Sequence, residues 1–329
     1  MDSPTIEVLG LHRSYGQVKA LDGVTFEVVA GTVSGLLGPN GSGKTTAVSI
    51  LSTALRPSAG TARVCGLDVR TQSAQVRAVI GFAGQFAAVD PNLSGSENLV
   101  LIGRLSRLGR ASARRRAAEA LDSFGLSDAA DRLVRTYSGG MRRRLDVAAA
   151  ILHRPPVLFL DEPTTGLDPE SRFALWDAVR RLVQGGTTVV LTTQYLEEAD
   201  ALADEIVILN HGRVVQVGTP ASLKAQTGAV VFTLGFAAHD SAVTAETVFA
   251  AAGLAPERDG REVRVSSTSG SGSLAGVLRH LADQTPDPAS IAVHEPTLDD
   301  VFLALTGHEA TPPSQPDRQV DGHAQGMTA

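Results

Sequence analysis

Polarity alternates along the first part of the chain. In "VTFEVV", Val24, Phe26 and Val28 share one side while Thr25 and Glu27 take the other. That is the period-two pattern of a half-buried strand. Residues 5–37 read as strands throughout, with a turn signal at Asp22–Gly23. Residues 44–54 then read as helix, and 61–90 as short strands punctuated by Gly and Pro. Leu, Ala and Arg at helical spacing over 95–153 predict a helical subdomain. "PPVLFLDEP" is a short unbroken apolar run, the form of a strand buried on both faces. A helix over 169–184, a strand over 187–192, a helix over 195–203 and strands over 205–210 and 213–217 complete the series. Strands alternating with helices predict an α/β domain built on a mostly parallel sheet.

The texture changes after Leu223. "AVVFTLGF", a helical "TAETVFAAAGL", a turn at Asp259–Gly260, the strand "EVRVSS", a helix near 273–283, the strand "SIAVHE" and the helix "LDDVFLAL" follow in order. They predict a second, small α+β unit over 224–307, loosely ferredoxin-like, behind a main domain over 1–223. Residues 308–329 are rich in Pro, Gln, Asp and Gly, and read as a disordered tail.

Composition narrows the picture. Hydrophobic residues make up 43% of 329, enough for a full core. No apolar run reaches the roughly 18 residues of a membrane helix, and the N-terminus lacks the pattern of a signal peptide. The net charge is −6, against the basic balance of a nucleic-acid binder. The single cysteine, Cys65, allows no internal disulfide and is expected in the core. These features predict a soluble cytoplasmic protein with no nucleic-acid partner.

The chemistry lies in three stretches. "GPNGSGKTT" runs Gly38, Pro39, Asn40, Gly41, Ser42, Gly43, Lys44, Thr45, Thr46. It fits G-x-x-x-x-G-K-[ST] and sits between a strand and a helix, where that loop works. Glycines let backbone N–H groups turn inward on a phosphate, and the helix N-terminus adds positive potential. Lys44 can reach the outer phosphates and the Thr45 hydroxyl a Mg²⁺ ion. "VLFLDEP" ends a strand with Asp161, a carboxylate placed to meet that metal, and Glu162, placed to orient an attacking water. "YSGGM" offers Ser138 as a cap for a helix starting near Met141, with Gly139 and Gly140 allowing close backbone approach. Arg142–Arg144 follow, expected as a solvated face with some aid to an anion. Tyr15 can stack on a purine, Gln85 can reach the metal or the water, and Asp168 precedes Pro169 as a helix cap or a ligand contact.

In this order the motifs resemble the nucleotide-binding subunit of ABC transporters over residues 5 to about 220. "GQFAAVDPNLSGSENL", "TTQYLEEADALAD" and "EPTLDDVFLALTG" are similar to the daunorubicin-resistance type of drug-export ATPase. The resemblance implies a P-loop NTPase core with an antiparallel β subdomain and a helical subdomain. It implies ATP and Mg²⁺ as ligands, with Thr45, Gln85 and Asp161 at the metal. It implies a head-to-tail homodimer with each ATP between Gly38–Thr46 of one subunit and Ser138–Gly140 of the other. A separate membrane-spanning permease would hold the protein at the cytoplasmic face of the membrane.

Two positions depart from the commoner family pattern. "YSGGM" stands for "LSGGQ", outside the phosphate-facing core. Gln194 stands where histidine contacts the γ-phosphate. Glutamine keeps a donor and an acceptor but does not titrate. Gln194 is expected to sense the γ-phosphate by hydrogen bonding. The alternatives are a lipid or other export system, or a nucleotide-gated clamp with little turnover.

Overall fold

The computed structural model describes residues 4–84, 88–227, 230–251, 256–267, 288–294 and 297–306. They form two compact units that part between Gln216 and Val217. The division falls ahead of the texture change near Leu223.

The first unit opens with β1 (Ile6–Tyr15), β2 (Val18–Val28), β3 (Val33–Leu37) and α1 (Lys44–Leu51). β4 (Ala59–Val64), β5 (Leu67–Asp68), α2 (Ser73–Val79) and β6 (Ile80–Ala83) follow. The helical stretch holds α3 (Gly95–Leu105), α4 (Arg110–Ser123) and α5 (Gly139–Ala150). β7 (Val157–Asp161), α6 (Pro169–Gln184), β8 (Thr188–Thr193), α7 (Leu196–Leu202), β9 (Glu205–Asn210) and β10 (Arg213–Gly218), whose last two residues fall past the division, complete the alternation. Helix α2 lies where the polarity pattern predicts only strands. Its seven residues bury Val76 alone, too short an element for a 3.6-residue period to show.

Two sheets result. One has the order β2-β1-β4-β5 and antiparallel pairing. The other has the order β10-β9-β3-β8-β7-β6 and runs parallel from β6 to β9. Its central strands β3, β8 and β7 are buried on both faces. Leu158 and Leu160 of β7 join Val189 and Leu191 of β8 in a core with the helices α4, α5 and α6. Val157, Phe159 and Val190, pointing the other way, join α1 and the antiparallel sheet. This accounts for the unbroken apolar runs. Each large side chain so buried contributes about 1.5–3 kcal/mol.

Cys65 is exposed, contrary to the core position expected for it. It forms the two-residue turn between β4 and β5 with Gly66, at φ 51° and 73°. Left-handed backbone at both positions is what a tight hairpin needs, and Gly66 was the available signal.

The second unit contains α8 (Pro220–Thr227), β11 (Val230–Gly235), α9 (His239–Ala251), β12 (Pro256–Asp259), β13 (Glu262–Ser267), β14 (Ser290–His294) and the helix Leu298–Thr306. Its antiparallel sheet has the order β12-β13-β11-β14. Strand β11 lies between β13 and β14, an interleaved order of split β-α-β type. Phe232, Leu234 and Val263 pack against Phe249 of α9. The helix expected near 273–283 and the tail over 308–329 lie outside the described residues.

Candidate active site

Strand register brings the motifs together. Leu37 of β3 pairs with Thr193 of β8, and Asp161 of β7 pairs with Thr192. The chain therefore leaves three adjacent strands at Gly38, Gln194 and Glu162, all on the C-terminal edge of a parallel sheet. Clefts for ligands form at that edge.

The loop before α1 needs its glycines. Gly41 and Gly43 have φ 80° and 107°, values that favour glycine. At Gly38 a Cβ would strike the Leu209 carbonyl and the Ser42 hydroxyl. Lys44 is 4% exposed. Its Nζ donates to the Gly38 carbonyl at 2.6 Å and the Pro39 carbonyl at 3.1 Å. Burial holds the Lys44 pKa below the ordinary value, and the nearby carboxylates Glu162 and Asp161 oppose that shift. A cleft of roughly 330 Å³ opens over the loop, lined by Asn40–Thr46, Glu162, Val18 and Ala20. Val18 and Ala20 carried no signal in the sequence beyond their nearness to Tyr15.

Asp161 is 3% exposed. It accepts from Thr45 Oγ1 at 3.2 Å and Thr192 Oγ1 at 2.5 Å. Glu162 has φ 46°, a left-handed conformation that costs roughly 1–2 kcal/mol outside glycine. Its N–H donates to the carbonyl and the hydroxyl of Thr192, at 3.1 and 3.0 Å. Thr192 thus fixes both carboxylate residues. Nothing in the sequence set it apart from the apolar strand around it.

Among the described residues, the other expected ones do not line this cleft in one chain. Ser138 caps α5 by accepting from the Met141 N–H at 3.2 Å, and the helix starts at Gly139 rather than near Met141. Gly140 packs so closely on Ser171 of α6 that a Cβ would collide with its hydroxyl. Asp168 caps α6, accepting from the Ser171 N–H and hydroxyl at 2.8 Å each. The Ser171 N–H bond holds its pKa below the usual carboxylate range. Tyr15 is exposed, with the Arg13 guanidinium 4.9 Å from its ring centroid. Gln194 is half-buried at the end of β8. Gln85 lies outside the described residues. Arg142–Arg144 are not a solvated face: Arg144 Nη1 donates to the Phe124 carbonyl at 3.0 Å, and Arg143 also turns inward. Arg142 alone of the three is exposed.

A wider groove of roughly 460 Å³ lies at the starts of β7 and β8, lined by Pro155, Pro156, Thr187 and several arginines. Those arginines, Arg116, Arg154 and Arg181, all bind protein oxygens already. It holds none of the phosphate-loop residues.

A glycine-cradled loop at a helix N-terminus, with a buried lysine, and a hydroxyl facing a carboxylate define a class: a nucleotide-binding P-loop ATPase. Residues 21–165 match the ABC transporter family. The chain is 50% identical to the daunorubicin/doxorubicin resistance ATP-binding protein DrrA of Streptomyces peucetius, over 93% of each chain. It is 46% identical to the doxorubicin resistance ATP-binding protein DrrA of Mycobacterium tuberculosis, over 93% of this chain and 94% of that one. It is 38% identical to the Nod factor export ATP-binding protein I of Ralstonia nicotianae, over 93% and 95%. A solved ATP-binding subunit of an ABC transporter superposes with a TM-score of 0.61 at 28% identity, covering 68% of this chain and 92% of the other. The chain belongs to the ATP-binding subunits of ABC transporters, in the group of the drug-resistance export ATPases.

Proposed function

We propose that this chain powers efflux of a drug- or antibiotic-like small molecule by binding and hydrolysing ATP. The observation that carries the chemistry is the convergence of Lys44, Thr45, Asp161 and Glu162 at one sheet edge. The relatives named for daunorubicin and doxorubicin resistance support the cargo class. Among the described residues no helix is long and apolar enough to cross a membrane. A separate membrane-spanning permease therefore belongs to the reading, with this chain at the cytoplasmic face as a head-to-tail homodimer.

Lys44 and the loop N–H groups bind the outer phosphates and stabilise the charge that develops on the transferring phosphoryl group. The Thr45 hydroxyl and the Asp161 carboxylate, 3.2 Å apart, suit a hard cation that takes oxygen ligands. Mg²⁺ there would neutralise phosphate charge, and Gln85 is assigned as a further ligand. Glu162 orients or deprotonates the attacking water. Ser138, Gly139 and Gly140 close on the γ-phosphate bound by the partner subunit, with Tyr15 against the base and Asp168 beside the closed interface. Gln194 donates to the γ-phosphate.

The test is phosphate release by the full-length chain and its Glu162→Gln variant. The variant should bind ATP, accumulate as a closed dimer and lose turnover by about 10²–10⁴-fold. Normal turnover in the variant would remove Glu162 from this role. ATP binding without turnover in the wild type would favour the nucleotide-gated clamp.

A further inference from the structure

Arg143 stands in the first turns of α5, the helix capped by Ser138, and its side chain is only 13% exposed. Its Nη2 donates to the Asp161 carbonyl at 3.0 Å and its Nε to the Pro163 carbonyl at 2.9 Å. Its Nη1 donates to the Gly84 carbonyl and, at 3.3 Å, to Asp146 Oδ2. Asp161 and Pro163 are the two chain neighbours of Glu162. A rigid fork of donors therefore grips the carbonyls on both sides of the glutamate. Thr192 holds the Glu162 N–H from the other direction. The left-handed turn at Glu162 is pinned at three points.

Asp146 braces the fork. It is 3% exposed, and its Oδ1 accepts from the Ala88 N–H at 2.7 Å. Burial raises the Asp146 pKa and lowers that of Arg143, and each is partly restored by the charge of the other. A buried ion pair is weak as a source of stability, because desolvation offsets most of the attraction. A packed apolar pair would serve a core as well. It would not grip two chosen carbonyls.

We propose that Arg143, braced by Asp146, is a positioning residue that ties the turn at Glu162 to the helix capped by Ser138. This rests on the reading of Glu162 as the hydrolytic carboxylate. In the head-to-tail dimer, the capped end of α5 meets the partner's nucleotide. Arg143 then conveys the seating of that helix to the glutamate of its own subunit.

The experiment measures kcat and KM for ATP hydrolysis by the full-length chain and its Arg143→Ala, Arg143→Lys and Asp146→Asn variants. Binding of a fluorescent ATP analogue and thermal melting are measured on each. In Arg143→Ala, kcat should fall about 10²-fold, the scale of a 1 Å misplacement. KM and analogue binding should stay near wild type. Arg143→Lys should recover only part of the rate, because one ammonium cannot span both carbonyls. Asp146→Asn should lie between Lys and wild type. Should Arg143→Ala fail to fold, Arg143→Lys decides: reduced kcat at unchanged KM supports the role, and full kcat overturns it. Loss of binding and rate together in folded variants also overturns it, since that marks general collapse of the cleft. Glu162→Gln, run alongside, reports separately on the reading of the glutamate.

Discussion

The core of the second unit holds Phe232, Leu234, Phe249 and Val263. Among its described residues no polar side chain is buried. Around the sheet edge of the first unit, Lys44, Asp146, Asp161 and Glu198 are each 1–4% exposed. Apolar burial stabilises in proportion to area. Burial of charge costs free energy unless partners compensate. The first region follows from what a chain needs in order to fold. The second keeps buried ionisable groups and a left-handed Glu162 that folding alone would not select, and Lys44, Asp161 and Glu162 among them are the groups assigned to phosphate, metal and water.

Lys44→Ala separates the two regions most sharply. Loss of the phosphate-binding ammonium should lower hydrolysis by about 10³-fold, the upper range for one charge-stabilising donor. The melting temperature should stay level or rise, because a buried cation has been removed. Phosphate release and thermal melting on one sample check both halves. A large fall in melting temperature would mean that Lys44 holds the loop together.

Phe249→Ala is the mirror experiment. Truncating a phenylalanine in a closed apolar core costs about 3–5 kcal/mol. Denaturant unfolding followed in the second unit should show that loss, while fluorescent-ATP binding at the first unit persists. Equal damage to binding would show that the two units fold as one.

Gln194 is a half-buried member of the site. Gln194→Ala should lower hydrolysis by about 10²-fold, the lower range for one donor to a developing anion. Gln194→His should retain activity, because the imidazole also offers a donor. Full activity in the alanine variant would remove Gln194 from the γ-phosphate.

The legibility of the two regions differs for the same reason. Strands such as Val157–Asp161 announced themselves because burial on both faces leaves an unbroken apolar run. The phosphate loop showed because its glycines answer to backbone geometry. Helix α2 and the exposed Cys65 did not show, since a seven-residue helix and a two-residue turn carry little pattern. Thr192 and Arg143 were hidden for another reason. Each acts on groups distant in sequence, Thr192 on the Asp161 carboxylate and the Glu162 N–H and Arg143 on the carbonyls of residues 84, 161 and 163. A basic run looks the same whether it faces water or grips carbonyls, so only tertiary structure separates the two.

The smallest expected effect concerns Glu198 of α7, which is 1% exposed. It faces Trp176 Nε1 at 3.4 Å, with Thr164 and Thr193 beside it, and it feels the charge of Arg172. Arg143 lies within electrostatic reach. Burial raises its pKa, and the polar groups of Thr193, Thr164 and Trp176 together with the charge of Arg172 oppose the rise. In the unfolded chain a glutamate titrates near about 4.3. The folded form therefore holds its proton more tightly. The stabilising contribution is complete below the unfolded value and is lost as pH climbs through the folded one. Glu198→Gln keeps the shape and removes the titration. The melting temperature of the variant relative to wild type should therefore be more favourable at pH 8 than at pH 5. An equal or smaller difference at pH 8 would mean that Arg172 and Arg143 keep Glu198 ionised across the range, making it a member of the charged edge rather than a neutral donor beneath it.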